Sequence, residues 1–175
     1  MFETMEVNME KKVTKKQHIS KDCFICGTEN IAGLKMKFYE LENGELAGIF
    51  TAQDIHQSYP NRAHGGVLAA ILDEAIGRSM MLEEPDSWGV TVELNIKYKK
   101  PVPLNEELKV IARPVRNTRK IFEAEGEILL NNGDVAVTAY GKYVKMPVSK
   151  ISENVENIDD FMHYEEEKGP EKIDY

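Results

Sequence analysis

HGGVLAAILDEAIGRSM, residues 64–80, is the stretch on which the reading of the chain turns. On a helical wheel Val67, Leu68, Ile71, Leu72, Ala75 and Ile76 spread over an arc too broad for a helix lying on an open surface. This helix must be covered on most of its sides. It begins near His64 or Gly65 and runs to about Leu82, where Glu83-Glu84-Pro85-Asp86 closes it. Asp73 is the exception on it. Its neighbours three and four positions away, Ala69, Ala70, Ile76 and Gly77, are small or apolar, and none is cationic. Glu74 has Arg78 at i+4 and needs only a surface ion pair to explain it.

Outward from the helix the pattern changes to period two. LKMKFYEL (34–41) and ELAGIFTA (45–52) flank Asn43-Gly44, a hairpin turn signal. QDIHQSYPNRA is an aperiodic loop into the helix. After the helix come four strand candidates: Trp88–Lys100, EELKVIARPVRN, KIFEAEGEILL and GDVAVTAYGKYVKM. In the first, Val92, Leu94, Ile96 and Tyr98 alternate with Thr91, Glu93, Asn95 and Lys97, so one face is buried and the other is wet or at an interface. In the third, Phe122, Ala124, Gly126 and Ile128 oppose Glu123, Glu125 and Glu127. Short turns favour antiparallel neighbours, because parallel pairing needs long crossovers. The fold class is therefore α+β, one long helix against a sheet of about six antiparallel strands. Residues 1–22 read as a frayed or weakly amphipathic leader, 23–149 as the folded domain, and 150–175 as an acidic tail. In that tail Ile151, Val155, Ile158 and Phe161 suit a short docking helix, and the last ten residues are expected to be mobile.

Composition narrows the function classes. The chain has 175 residues, 42% hydrophobic and 30% charged, with a net charge of −8 weighted toward its C-terminal tail. A nearly neutral body offers no excess of cations for a nucleic-acid backbone. No apolar run approaches the roughly 18–20 residues that cross a bilayer, and the first residues lack a secretory signal, so the cytoplasm is the expected location. Cys23 and Cys26 in CFIC read as two reduced thiols in a buried entry turn. One CxxC supplies only half of a four-ligand zinc site, with His18 and Asp22 the only nearby supplements, and no metal site is assigned. The following GTENIAG opposes the helix that a thioredoxin-like pair would need.

Chemistry concentrates on the helix. The first turn of a helix carries N–H groups without intrahelical acceptors, at the end of the dipole that favours negative charge. Gly65 and Gly66 leave those donors open and let a ligand approach the main chain, as developing oxyanion charge requires; they also suit a tight turn into the helix. Asp73 reads either as a solvated or interface-bonded carboxylate, or as a general base or nucleophile beside an apolar pocket. It lies about 13–14 Å along the helix from His64. One chain cannot easily set both around one reacting carbon, whereas two copies with antiparallel helices can, giving two equivalent sites.

HGGVLAAILDEA, preceded by CFICGTENIAGLKMKFYE and followed by VELNIKYKKPV, resembles the PaaI-like hotdog-fold acyl-CoA thioesterases over roughly Cys23 to Met146. The resemblance implies a long central helix wrapped by a curved antiparallel sheet, in homodimers that commonly form homotetramers. It implies hydrolysis of acyl-CoA to free acid and CoA. The Gly65 N–H would polarise the carbonyl, and Asp73 of the partner subunit would assist the attacking water. It also implies that His64 orients the Gly65 turn and that Gly66, Asn61, Asn95 and Tyr98 border the substrate. No cofactor is expected beyond the CoA of the substrate, and no nucleic-acid partner or membrane insertion. The alternative on the same fold is a protein that binds acyl-CoA or acyl chains without turning them over.

Overall fold

The computed structural model describes residues 10–152, 162–163 and 168–175. Its long helix α1, Gly65–Arg78, continues into a 3₁₀ turn, Ser79–Leu82, so the helical stretch ends where Pro85 was expected to end it. Eight strands surround it: β1 (Lys11–Lys16), β2 (Lys37–Leu41), β3 (Leu46–Thr51), β4 (Trp88–Tyr98), β5 (Glu107–Asn117), β6 (Ile121–Leu129), β7 (Val135–Met146) and β8 (Lys172–Ile173). They form one sheet in the order β4-β7-β6-β5-β3-β2-β1-β8, antiparallel at every pairing. A four-residue helix α2, Val148–Ile151, follows β7.

The sheet has eight strands where about six were expected, and both additions come from the termini. Lys11–Lys16, inside the expected leader, pairs with β2. Lys172–Ile173, inside the tail expected to be mobile, pairs with β1. Alternation in KKVTKK is weak because its apolar content is low, and two residues carry no periodicity at all. What holds β8 is packing: Ile173 is buried with Tyr39, Leu41, Ala47 and Ile111 on the sheet face away from α1. Most of the docking helix expected around Val155, Ile158 and Phe161 lies outside the described residues.

Ile71, Leu72, Ala75 and Ile76 of α1 have no exposed surface, and Phe122, Ala124 and Ile128 of β6 meet them as the alternation required. Burial of each such aliphatic side chain contributes about 1.5–3 kcal/mol. Strand β4 departs from the expected alternation. A bulge lies between Thr91 and Glu93 in its pairing with β7, so one residue is unpaired and the side-chain parity reverses across it. Leu94 and Ile96 pack on the core, yet Val92 is 56% exposed and Thr91 turns toward the helix instead.

Arg78 is also a correction, since it is buried rather than half of a surface pair. Its Nε donates to Glu74 Oε1 at 2.7 Å, one terminal nitrogen to the His18 carbonyl at 2.8 Å, and the other to Cys26 Sγ at 3.1 Å. The guanidinium lies 4.7 Å from the centre of the Phe38 ring. A buried cation needs such a set of partners, because leaving it unpaired costs several kcal/mol, on the order of 3–5. This anchor ties α1 to residues 18–26.

Burial, then the positive charges of Arg78 and Lys15, lower the pKa of His18 to about 4. The unfolded chain, with His18 at about 6.5, therefore binds more protons than the fold between those values, and stability rises with pH across that window. The contribution is complete above pH 6.5 and lost as the pH falls toward 4. Urea midpoints measured through this range should drop for the wild type and drop less for His18→Gln; parallel profiles would refute the assignment.

Candidate active site

His64 caps α1. Its backbone is extended, at φ −67° and ψ 135°, and its Nδ1 accepts the Gly66 N–H at 2.9 Å. Its carbonyl accepts the N–H groups of Val67 and Leu68 at 2.9 and 3.1 Å. Of the first-turn donors, that of Gly65 alone has no acceptor among the described residues. The Tyr98 hydroxyl donates to the Gly65 carbonyl at 2.8 Å, and its ring rests against Gly65. Gly65 and Tyr98 line a cleft of about 430 Å³ with Tyr59, Arg62, Leu68 and Lys99. His64 and Tyr98 thus hold the Gly65–Gly66 peptide from its two sides and leave the Gly65 N–H open.

Asp73 lies two turns along. Its Oδ1 accepts the Thr91 hydroxyl at 2.8 Å and the Tyr143 hydroxyl at 2.9 Å, and Tyr143 is equally close to the Asp73 carbonyl. Oδ2 accepts no hydrogen bond among the described residues. The Tyr143 ring reaches the helix through a slot made by two glycines. A Cβ at Gly77 would lie 3.1 Å from the ring, and one at Gly141 would lie 2.8 Å from it and 3.0 Å from Ile76. Burial and the neighbouring Asp73 carboxylate hold the Tyr143 phenol far above its ordinary pKa, so it remains a donor. Asp73 and Thr91 line a second cleft, of about 500 Å³, together with Cys23, Glu74, Met81 and Trp88.

Within one chain the structure does not unite the expected site residues: Gly65 and Tyr98 open onto one cleft, Asp73 onto another. The Gly66 N–H is already taken by His64. Asn61 occupies the left-handed region at φ 60°, a conformation its short polar side chain tolerates, and its N–H bonds Gln57 Oε1 at 3.0 Å. Asn95 is exposed on β4, paired across the ladder with Tyr140. Thr91 and Tyr143, the two groups that hold Asp73, were not among the expected site residues. The bulge hid Thr91, and Tyr143 is seventy residues from its partner; locally only Gly141, two positions before it on the same strand, set it apart.

The potential ligand atoms of Cys23, Cys26 and Glu74 fall within 4.8 Å of one another. The Arg78 guanidinium sits against both Cys26 Sγ and Glu74 and supplies positive charge there, so the trio does not fit a cation.

Residues 61–137 match the model of the thioesterase superfamily. An uncharacterised protein of Schizosaccharomyces pombe is 31% identical over 75 residues, 43% of either chain. Acyl-coenzyme A thioesterase 13 of Mus musculus is 26% identical over 93 residues, covering 53% of this chain and 66% of that one. The aligned parts thus span less than two thirds of these relatives' lengths. Among solved structures, the thioesterase superfamily protein RHA08564 superposes with a TM-score of 0.66 at 26% identity, covering 72% of this chain and 61% of that one. The E. coli PaaI protein of the phenylacetic acid degradation operon gives 0.59 at 16% identity, covering 65% and 80%. The BH2602 protein of Bacillus halodurans, crystallised with CoA, gives 0.53 at 27% identity, covering 57% and 66%. The helix wrapped by an antiparallel sheet is the hotdog fold that these thioesterase structures share, and the stretch from the loop before α1 into β7 is similar in sequence to the thioesterase superfamily.

Tyr143→Phe removes the donor to Asp73 while keeping the ring in its slot. We expect a stability loss of about 1 kcal/mol, read from urea denaturation. An unchanged midpoint would mean that the hydroxyl does not hold Asp73.

Proposed function

We propose that the protein hydrolyses acyl-CoA thioesters at a site shared by two subunits. The observation that carries this reading is the unpaired Gly65 N–H at a helix tip whose neighbouring donors are all satisfied. The match of residues 61–137 to the thioesterase superfamily supports thioester hydrolysis as a class, and the CoA seen with the Bacillus halodurans protein supports the carrier. The Gly65 N–H donates to the thioester carbonyl oxygen and stabilises the negative charge that builds there during attack. The partner subunit's Asp73 takes a proton from the attacking water. The tetrahedral intermediate then collapses with loss of CoA thiolate, which recovers the proton from Asp73. The Tyr143 and Thr91 hydroxyls keep the carboxylate from rotating, and Oδ2 is left for the water. These steps call for no cofactor besides the CoA that the substrate brings.

Strand β4 supports the dimer. It is an eleven-residue edge strand of the described sheet, and Val90, Val92 and Tyr98 are all exposed on it. A long edge with unpaired main-chain groups and apolar side chains is an association surface unless something covers it. Pairing two β4 edges about a twofold axis would also bring the Gly65 cleft of one subunit toward the Asp73 cleft of its partner.

Two substitutions test the reading together. Asp73→Asn keeps size and removes the base; thiol release from short, medium and aromatic acyl-CoAs should fall by about 10²-fold or more. Gly65→Pro deletes the single N–H at the first helical position, where proline is tolerated, and the extended His64 before it suits a following proline. We expect a loss of about 10²–10³-fold in kcat. Mixing the two inactive proteins after subunit exchange should restore about a quarter of wild-type activity, because half the dimers carry one intact site of two. Equal rates for wild type and Asp73→Asn would remove Asp73 from the mechanism, and no recovery on mixing would refute the shared site. Ligand protection against unfolding without turnover would favour the binding protein instead.

A further inference from the structure

Thioester hydrolysis leaves unused the pair of thiols in the CFIC turn. The Gly27 N–H bonds the Cys23 carbonyl at 2.9 Å, closing one helical turn that sets Cys23 and Cys26 three residues apart on one side. Residues so placed have Cα atoms about 5 Å apart, within the range a disulfide spans, and the two sulfurs already lie within 4.8 Å. The two differ in surroundings. Cys23 is half-buried and lines the 500 Å³ cleft; its sulfur accepts the N–H groups of Ile25 and Cys26 at 3.3 and 3.4 Å. Cys26 is fully enclosed, and its sulfur accepts from Arg78 at 3.1 Å and from the Ser20 N–H at 3.4 Å.

We propose that Cys23 and Cys26 form a thiol–disulfide exchange centre for low-molecular-weight disulfides, in which Cys23 attacks from the cleft and Cys26 resolves from beneath it. The Cys23 thiolate attacks one sulfur of RSSR, forms the mixed disulfide and expels RS⁻. Cys26 then attacks the Cys23 sulfur, breaks the mixed disulfide and displaces the second thiol of RSSR. The Cys26 proton leaves with it as RSH. The protein dithiol is oxidised to the disulfide, and RSSR is reduced to two thiols. The Arg78 guanidinium stabilises negative charge as it develops on Cys26. The hydrogen bond from Cys26 lowers the Cys23 pKa to about 7, against the opposing effects of burial and of Glu74, while Cys26 is driven upward. An attacking thiol is fastest when its pKa lies near the ambient pH, and a protonated partner cannot compete with it. This turn, outside any thioredoxin-like helix, therefore makes a nucleophile of a cysteine that the sequence presented only as part of a buried entry.

The inference is independent of the hydrolase reading and is tested without any thioester. Reduced full-length protein is incubated with oxidised glutathione at neutral pH and followed by intact mass and peptide mapping. We expect the wild type to lose two hydrogens in a Cys23–Cys26 disulfide, Cys26→Ser to stop at a glutathione adduct on Cys23, and Cys23→Ser to remain unmodified. Because a substitution at buried Cys26 can itself disturb the fold, the unaltered protein supplies a second readout. Limited iodoacetamide should label Cys23 at least about ten times faster than Cys26. Equal labelling, adducts on Cys26 first, or a wild type inert to oxidised glutathione would each overturn the proposal.

Discussion

Enclosure of α1 is the constraint from which the other features follow. Ile71, Leu72, Ala75 and Ile76 are entirely removed from water, and the sheet must curl around the helix to achieve it. A helix so enclosed has little room for polar groups, and each one it carries has to be met by a partner from elsewhere in the chain. That requirement shapes both polar clusters of the molecule.

The first cluster is Asp73 with Thr91 and Tyr143; the second is Arg78 with Glu74, the His18 carbonyl and Cys26. They do different things. The Arg78 cluster is closed, with its donors spent on fixing residues 18–26 against the helix, and a long-range anchor of this kind resists local opening. The Asp73 cluster is half open. One carboxylate oxygen is held by two hydroxyls, and the side chain borders a cleft. A group held rigidly by its neighbours but not used up by them is the arrangement from which proton transfer gains most.

The helix tip obeys the same accounting of donors. His64 and its carbonyl satisfy Gly66, Val67 and Leu68, and Tyr98 holds the carbonyl side of Gly65. Capping therefore does more than begin the helix, since it singles out one N–H. Its separation from Asp73 is a property of helical rise, and no side-chain rotation within one chain can abolish it. The proposed dimer resolves that distance by bringing two helices together.

The α+β class, the helix bounds, the strands β2 to β7 and the start of the helix at HGG were all legible along the chain, because each depends on residues within a few positions of one another. The helical period marks α1, alternation marks β6, and Asn43-Gly44 marks the first hairpin. Beyond that range the linear pattern is silent. The bulge in β4 is a property of two strands in register, and it brings the Thr91 hydroxyl to Asp73 and leaves Val92 exposed, against the sequence alternation. The pairing of Lys11–Lys16 and Lys172–Ile173 joins the two ends of the chain through a shared apolar patch. Whether Arg78 is a surface charge or a buried anchor, and whether Tyr143 meets Asp73, depended on how the sheet closed over the helix. Local sequence set the elements and the chemistry they carry; only tertiary packing, which decides what each polar group loses to burial and gains from distant partners, chose which of them face one another.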